Sequence, residues 1–458
     1  MFGLSAGLEI ARRALRAHQF TLNVLGSNIA NVETPGYSRR RVELQPGMDI
    51  HTSSGSMGTG VDVRGVSRVR DGILDKSYRG HNTDFGRWGS MQETLSRVES
   101  AFPADDSSGL GPALGEFWKA WNELANQPES GSARIAVREK GRALTDTFQR
   151  LDSHINSLVE DVNGEISTSV DRINSISGRL ATLNAMVVSA KTNGDEPSGL
   201  LDERNRLVDE LSGIANVQVE ENAAGSLTVQ LGSEVLVQGP QSRALEVAQE
   251  SDPNSGSNVI RWQDTKLEPV VTGGRLSGLI ASRDDRIAAY RQSLDDIAAA
   301  LVAETNRLHA TGVGFDGSTG HNFFDPARVH AGDIRIDAAI EGDVNVIAAS
   351  AGGERGDGRQ ALAIAQIAGL KLLGNGTQTI AAAYRSVVGR IGLDTSQAQS
   401  FQDAQGAILD QIDSQRADVS GVSLDEEMTQ MMATQHAYQA MVRVTTTIDQ
   451  MLDSIVRM

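Results

Sequence analysis

One glycine pattern and two carboxylate pairs in this chain contain residue types that could carry out chemistry. Residues 312–317, Gly-Val-Gly-Phe-Asp-Gly, match the G-x-G-x-x-G spacing of dinucleotide-binding loops. Such a loop must lie between a strand and a helix, because the pyrophosphate binds at the helix N-terminus. Here the pattern follows a predicted helix and continues into Ser318-Thr319-Gly320, so we interpret it as a glycine turn. Asp284-Asp285 and Asp295-Asp296 fall in a predicted helix, where neighbouring side chains point about 100° apart, and we interpret them as solvated charge.

Metal-binding and nucleophilic residues show no useful spacing either. The 8 histidines include no HxxxH or HExxH pair, and the chain has no cysteine. The sequence has no P-loop and no G-x-S-x-G nucleophile motif. It therefore predicts no catalytic residue, no metal and no cofactor, which favours a protein that is not an enzyme.

Charge and hydropathy limit the partners of the chain. Its 458 residues include 42 Lys and Arg against 59 Asp and Glu, which gives a formal net charge of −17. This balance argues against binding to nucleic acid or to an anionic membrane, since both require clustered cations. No apolar run approaches the ~20 residues that cross a bilayer. Glu9, Arg12 and Arg13 interrupt the N-terminus where a cleavable signal would be apolar, so we expect no such signal.

The N-terminal segment predicts a long amphipathic helix. All 10 prolines lie between Pro35 and Pro326, which leaves three proline-free stretches for long helices. In the first stretch, residues spaced alternately four and three apart are apolar, as in a coiled-coil seam. His18 interrupts this seam, and we favour a polar residue that fixes register over a pH switch. The N-terminal seam consists of Leu4, Leu8, Ala11, Leu15, His18, Leu22, Leu25 and Ile29.

The C-terminal segment has the same character. Ser423 and Glu426 fit a capping box that starts a helix of about 32 residues. Its seam is interrupted by Glu427, Thr434 and Thr445 and consists of Leu424, Met431, Tyr438, Met441, Ile448, Leu452 and Ile455. We expect both terminal segments to be poorly ordered in the free chain and to pack on assembly, so the two seams are the predicted assembly interface. The alternative is that the two ends close on each other within one chain.

The interior predicts further helices and one small β region. Heptad spacing over 144–162, a change of phase up to 187, and similar runs over 276–308 and 380–412 indicate long helices. Shorter helices are expected at 84–101, 113–126, 198–212 and 360–373, and Gly164 and Gly178 could bend the central helix. The fold class is mainly α, with coiled-coil-like terminal and central helices, a small inserted β-rich domain and an extended arm after the first helix. The expected divisions are 1–34, 35–80 (arm or hairpin), 81–212 (helical), 213–272 (β-rich), 273–420 (helical) and 421–458.

Two stretches of the sequence indicate a protein family more specifically than the apolar periodicity does. Residues 27–40, Ser-Asn-Ile-Ala-Asn-Val-Glu-Thr-Pro-Gly-Tyr-Ser-Arg-Arg, resemble the N-terminal signature of flagellar rod, hook and hook-associated proteins. Residues 420–428 and 435–440 resemble the C-terminal signature of the same family. The Tyr37-Ser38-Arg39 turn and the interior runs 200–204 and 273–279 are closest to its hook-associated members. The family motif positions are Asn28, Asn31, Pro35, Gly36 and Tyr37.

The resemblance implies a structural protein that self-assembles along the flagellar axis and joins hook to filament. It also implies export through the flagellar type III pathway, from the cytoplasm to the hook–filament junction outside the cell. The implied partners are further copies of the chain, the hook protein, a second junction protein that leads to the filament, and a cytosolic export chaperone on the C-terminal helix. The alternatives are another axial component, such as a rod, hook or flagellin-like protein, and a flagellar wall-degrading enzyme.

Overall fold

The computed structural model describes residues 2–52, 55–102, 109–249 and 258–457. The chain is mainly helical with small β regions, as the sequence predicts. The helices are α1 (Phe2–Ala30), α2 (Gly72–Ala101), α3 (Leu110–Asn126), α4 (Gly131–Thr192), α5 (Ser198–Ile214), α6 (Gly274–Ala281), α7 (Ala288–His309), α8 (Ala338–Gly342), α9 (Arg359–Ala365), α10 (Ile380–Ser420) and α11 (Leu424–Val456). The strands are β1 (Arg40–Pro46), β2 (Ile50–Thr52), β3 (Gly55–Met57), β4 (Val61–Arg68), β5 (Val217–Glu221), β6 (Leu227–Leu231), β7 (Glu234–Gln238), β8 (Gln241–Ser242), β9 (Leu245–Gln249), β10 (Asn258–Trp262), β11 (Lys371–Leu373) and β12 (Gln378–Thr379).

Helix α4 connects two hydrophobic cores. Its 62 residues span about 93 Å at 1.5 Å per residue. It runs without a break through Gly164 and Gly178, where the sequence left room for a bend. Up to Ile155 its apolar side chains pack with α2, α3, α7, α9 and α10, and from Val162 onward they pack with α5, α6 and the β region. A π-helical turn, Ser282–Ile287, lies between α6 and α7 near the change from one core to the other.

The β region follows the period-two pattern of the sequence. Strands β5, β6, β7 and β8 form an antiparallel sheet in that order, and β9 pairs with β10 in a separate hairpin. The predicted turns at Gly225 and Gly232 are present, with φ of 82° and 60°. These angles favour glycine, which adopts positive φ at little cost. Trp262, the last residue of β10, is fully buried in the core that these strands share with α4, α5 and α6.

Helix α2 begins earlier than expected. The sequence predicted a helix over 84–101, but α2 starts at Gly72, so the expected arm of residues 35–80 already ends in helix. Asp71 caps this helix by accepting hydrogen bonds from the backbone N–H groups of Ile73 and Leu74. Glycines in the first half of α2 hid it, since glycine has low helix propensity. At Gly86 the glycine is needed because a Cβ would collide with the carbonyl of Gly213 in α5.

The two chain ends and the arm form a separate unit, which we call the terminal module (α1, β1, β4 and α11). Strands β1 and β4 pair antiparallel and pack on α1, consistent with the predicted hairpin. Helix α11 packs against α1 in the antiparallel direction: Asn28 meets Glu427, and the Cδ1 atom of Ile448 lies 3.3 Å from where a Cβ of Gly7 would be. The structure thus shows the arrangement of the alternative considered above, in which the ends pair within one chain.

Candidate assembly site at the paired termini

Asn28 joins four segments of the terminal module. Its side chain is fully buried at the C-terminal end of α1. The amide Nδ2 donates to the carboxylate Oε2 of Glu427 on α11 and to the carbonyl of Arg40 on β1, both at 2.9 Å. The amide Oδ1 accepts from the hydroxyl of Tyr37 at 2.9 Å and from the backbone N–H of Arg40 at 3.0 Å. All the hydrogen-bonding capacity of this buried amide is therefore used, as a buried polar group requires.

The other motif residues build the turn that brings Tyr37 to Asn28. Asn31 ends α1 by donating from Nδ2 to the carbonyl of Ser27 at 2.8 Å. Gly36 has a φ of 81°, a conformation that favours glycine, and Pro35 before it is exposed. The guanidinium carbon of Arg40 lies 4.9 Å from the ring centre of Tyr37, close enough for a cation–π contact. The motif thus sets the direction in which the chain leaves α1.

The predicted seams lie along the α1–α11 contact, but few of their side chains are covered. On α1, Ala11 and Leu25 are buried, together with Ala14, Ala17 and Asn28. On α11 the buried residues are Glu427 and Thr434, which the sequence showed only as interruptions. Leu424 and Ile455 remain 46% and 50% exposed. The half-buried seam residues are Leu4, Leu8, Leu15, His18, Leu22, Ile29, Met431, Tyr438, Met441, Ile448 and Leu452.

Helix α11 also carries apolar side chains outside the seam. Against α1 it buries two side chains, while at least five further apolar ones on its flanks are exposed to solvent. A surface helix normally turns such side chains toward a core. These exposed residues are Met428, Met432, Val442, Val444 and Met451.

The predicted capping box does not form. Ser423 is the N-cap residue of α11, but its side chain accepts no capping hydrogen bond. The carboxylate of Glu426 bonds Arg39 Nη1 at 2.7 Å instead of reaching back to the N-cap. The backbone N–H of Arg39 also donates to the carbonyl of Ser420 at 2.9 Å. The start of α11 is therefore held by the turn after α1 rather than by its own cap.

A cluster of arginines and aspartates lies where strand β4 of the terminal module meets helices α2, α5 and α10. Asp202 accepts from Arg68 Nη1 at 3.0 Å, so the family-like run 200–204 contacts the end of the arm. Asp209 accepts from Arg79 at 2.7 Å and from Arg416 at 2.7 Å. The ionic cluster consists of Arg68, Arg70, Arg79, Arg416, Asp75, Asp202 and Asp209.

The charge state of Asp75 follows from its neighbours. Burial disfavours its ionised form, but hydrogen bonds and charge from Arg70 and Arg416 outweigh burial and lower its pKa. Sequence reasoning missed Asp75, Asp209 and Arg416, since they lie on three helices and share no motif. Only Asp202 had a signal, because it lies in the run 200–204.

The patterns that could have carried chemistry have structural roles. Residues 312–317 form a turn directly after α7, with Gly317 at a φ of 82°. Asp295, interpreted above as solvated charge, instead accepts from the backbone N–H of Ala331 at 2.8 Å. Among the described residues, no group of three or more His, Asp or Glu side chains is placed to hold a metal ion. Within the same residues, no helix has the length and apolar character of a membrane span.

Comparison with known proteins places this arrangement in a class. Residues 8–37 match the family model "Flagella basal body rod protein", and residues 413–458 match "Flagellar basal body rod FlgEFG protein C-terminal". The two paired ends therefore define a flagellar axial protein. Residues 95–324 match a third model, "Flagellar hook-associated protein FlgK helical domain". The chain belongs to the flagellar hook-associated protein 1 family.

Relatives and a solved structure agree with that assignment. Flagellar hook-associated protein 1 of Bacillus subtilis is 32% identical over 98% of this chain and 97% of its own length. The protein of the same name from Salmonella typhimurium is 24% identical over 99% of both chains. The fold is similar to that in "The structure of the flagellar hook junction protein FlgK from Burkholderia pseudomallei", with a TM-score of 0.68 and 17% identity over 75% of this chain and 100% of that chain.

Proposed function

We propose that this chain joins hook to filament as a structural component of the flagellum, and that its paired terminal helices form the inner wall of the assembly. The observation that carries the proposal is α11, which lies against α1 but has most of its apolar side chains exposed or half-exposed. The names of the relatives support a junction role. The Burkholderia pseudomallei protein that shares this fold, a flagellar hook junction protein, supports it as well.

The assembly interface consists of the two seams and the exposed flanks of α11. Neighbouring copies would cover Met428, Met432 and Val442 together with the half-buried seam residues. Each side chain of this size contributes ~1.5–3 kcal/mol when fully buried, before the entropy of ordering is subtracted. Contacts that repeat from one copy to the next in the same direction generate a ring or an open helix, which is the symmetry of a tube.

Further partners follow from the same surface. We propose that the hook protein contacts one end of the assembled ring and a second junction protein contacts the other, leading to the filament. Before export, a cytosolic chaperone would cover the exposed apolar side of α11, where methionines suit a surface that meets more than one partner. The protein would then act outside the cell, and its role would be structural and not enzymatic.

The test replaces one seam residue and one matched surface residue. Ile448→Asp puts a charge into the contact with α1 beside Gly7, while Gln450→Asp adds the same charge at an exposed position two residues away. In a strain that lacks the natural chain, we expect Ile448→Asp to give hooks without filaments and filament protein in the medium. Gln450→Asp should restore filaments.

Two results would contradict the proposal. Cells that carry the Ile448→Asp variant, or a chain that lacks residues 424–458, could still form filaments of normal number and length. Either result would show that the seam is not needed. Cleavage of peptidoglycan by the purified chain would contradict a purely structural role. Denaturant unfolding of the helical body should be unchanged by Ile448→Asp, because α11 packs mainly on α1.

A further inference from the structure

Two arginines on α1 are exposed and have no ion-pair partner in the described part of the chain. Arg12 and Arg16 lie four residues apart, so they share one side of the helix. Within the part of the chain that the structure describes, neither forms an ion pair. Arg13, between them, differs: it pairs with Glu9 at 3.4 Å and with Asp62 at 3.1 Å. Arg12 and Arg16 are therefore exposed cations of α1 that have no ion-pair partner among the described residues.

Two aspartates on α11 have the matching arrangement. Asp449 and Asp453 are also four residues apart and exposed, and neither takes part in an ion pair among residues 2–52, 55–102, 109–249 and 258–457. Each follows a seam residue directly, since Asp449 comes after Ile448 and Asp453 after Leu452. Arg12 and Arg16 likewise follow the seam residues Ala11 and Leu15. The two charge pairs therefore flank their seams in the same way.

The pairs cannot meet within one chain. The contacts of Asn28 with Glu427 and of Gly7 with Ile448 both join residues whose numbers add to 455. By this register the aspartate pair lies about ten residues from the arginine pair along the helix axis. At 1.5 Å per residue the separation is about 15 Å. Suppose that a second copy has the same orientation and is shifted by this distance along the helix axis. Arg12 of one copy then lies opposite Asp453 of the other, and Arg16 lies opposite Asp449.

We infer that the Arg12–Arg16 pair of one copy binds the Asp449–Asp453 pair of the neighbouring copy and sets an axial offset of about 15 Å. The partner is a second copy because the two pairs have opposite sign, equal spacing and the same place beside the seam. Such charges fix orientation and register more than affinity. The inference rests on the proposed function, since it concerns contacts between copies of the assembled chain.

Reciprocal charge reversal tests the contact. One variant carries Arg12→Glu and Arg16→Glu, and the other carries Asp449→Arg and Asp453→Arg. Each alone brings like charges together at every contact between copies, while a mixture of the two restores opposite charges at each contact between unlike copies. In a strain without the natural chain, we expect each variant alone to reduce filament number at least about tenfold, and co-expression of the two to restore it.

The outcomes separate this inference from the proposed function. Normal filaments with either variant alone would overturn the charge contact while leaving the junction role intact. Absence of filaments on co-expression would also overturn it, provided that both variants keep the helical content of the parent by circular dichroism. Failure of the parent chain itself to support filaments would instead contradict the proposed function.

Discussion

Replacing Asn28 by alanine is expected to release α11 from α1 at its N-terminal end. From its place on α1, the Asn28 side chain is hydrogen-bonded to the turn at Tyr37, to strand β1 and to α11 at the same time. Alanine keeps the helix but removes all four hydrogen bonds. The carboxylate of Glu427, which is 5% exposed, then loses its bond to Asn28.

The size of the effect follows from these bonds. A neutral hydrogen bond contributes about 0.5–1.5 kcal/mol and one to a charged group about 1.5–3 kcal/mol. Tyr37 is half-buried, so water replaces part of its bond. The expected cost is about 3 kcal/mol, which corresponds to a roughly 100-fold change in the opening equilibrium. This loss of stability affects the terminal module and not the helical body, because α11 scarcely contacts the helical body.

Amide hydrogen exchange on the free chain measures this local opening. We expect Asn28→Ala to reduce protection over residues 424–434 about 100-fold and to leave α4 unchanged. The matched control is Asn23→Ala, an exposed asparagine of the same helix, which should change protection by less than about 0.5 kcal/mol. Equal protection in Asn28→Ala and Asn23→Ala would refute the role assigned to Asn28.

Two further predictions concern the helical body. Burial lowers the pKa of His309 from 6.5 to about 4, so its neutral ring, which accepts from the backbone N–H of Ala348 at 2.9 Å, stabilises the fold fully above pH 6.5. Protonation of His309 should lower the free energy of unfolding by up to about 3 kcal/mol between pH 6.5 and 4, and His309→Gln should remove this contribution; an unchanged pH dependence in denaturant titrations would contradict it. Gly278→Ala should destabilise the chain by about 1–3 kcal/mol, because its Cβ would collide with Ser90 on α2. Gly178→Ala, with nothing within 4 Å, should stabilise by up to about 1 kcal/mol, and equal melting shifts for the two variants would show that space at Gly278 does not matter.

Periodicity in the sequence predicted the long helices and the strands of the β region correctly. It was wrong over residues 360–373, which were expected to be helical, because α9 ends at Ala365 and Lys371–Leu373 forms strand β11 with β12 as its partner. The apolar spacing of α4 and α10 extends over several turns, and the alternation in β6 and β7 is bounded by turn glycines, so local pattern and tertiary packing agree. It failed at the start of α2, where glycines are kept for close helix contacts such as Gly86 with Gly213. A propensity pattern cannot distinguish a glycine that breaks a helix from one that lets two helices approach.

The polar contacts at the chain ends could not be predicted. Glu427 looked like an interruption of an apolar seam, yet it is buried because Asn28, 399 residues earlier in the chain, bonds its carboxylate. Glu426 looked like half of a capping box, yet Arg39 binds it. Both outcomes depend on which side chains the fold brings together across the chain. The resemblance to flagellar axial proteins marked Asn28 and Tyr37 as important without showing what they contact.

The central claim is that α11 has an incomplete contact in the single chain and is completed by neighbouring copies. Amide exchange compared between the free chain and chain assembled on hooks tests it directly. The account predicts that residues 435–456 exchange much faster than α4 in the free chain and gain strong protection on assembly. Protection of residues 435–456 that already equals that of α4 in the free chain, and does not change on assembly, would contradict it.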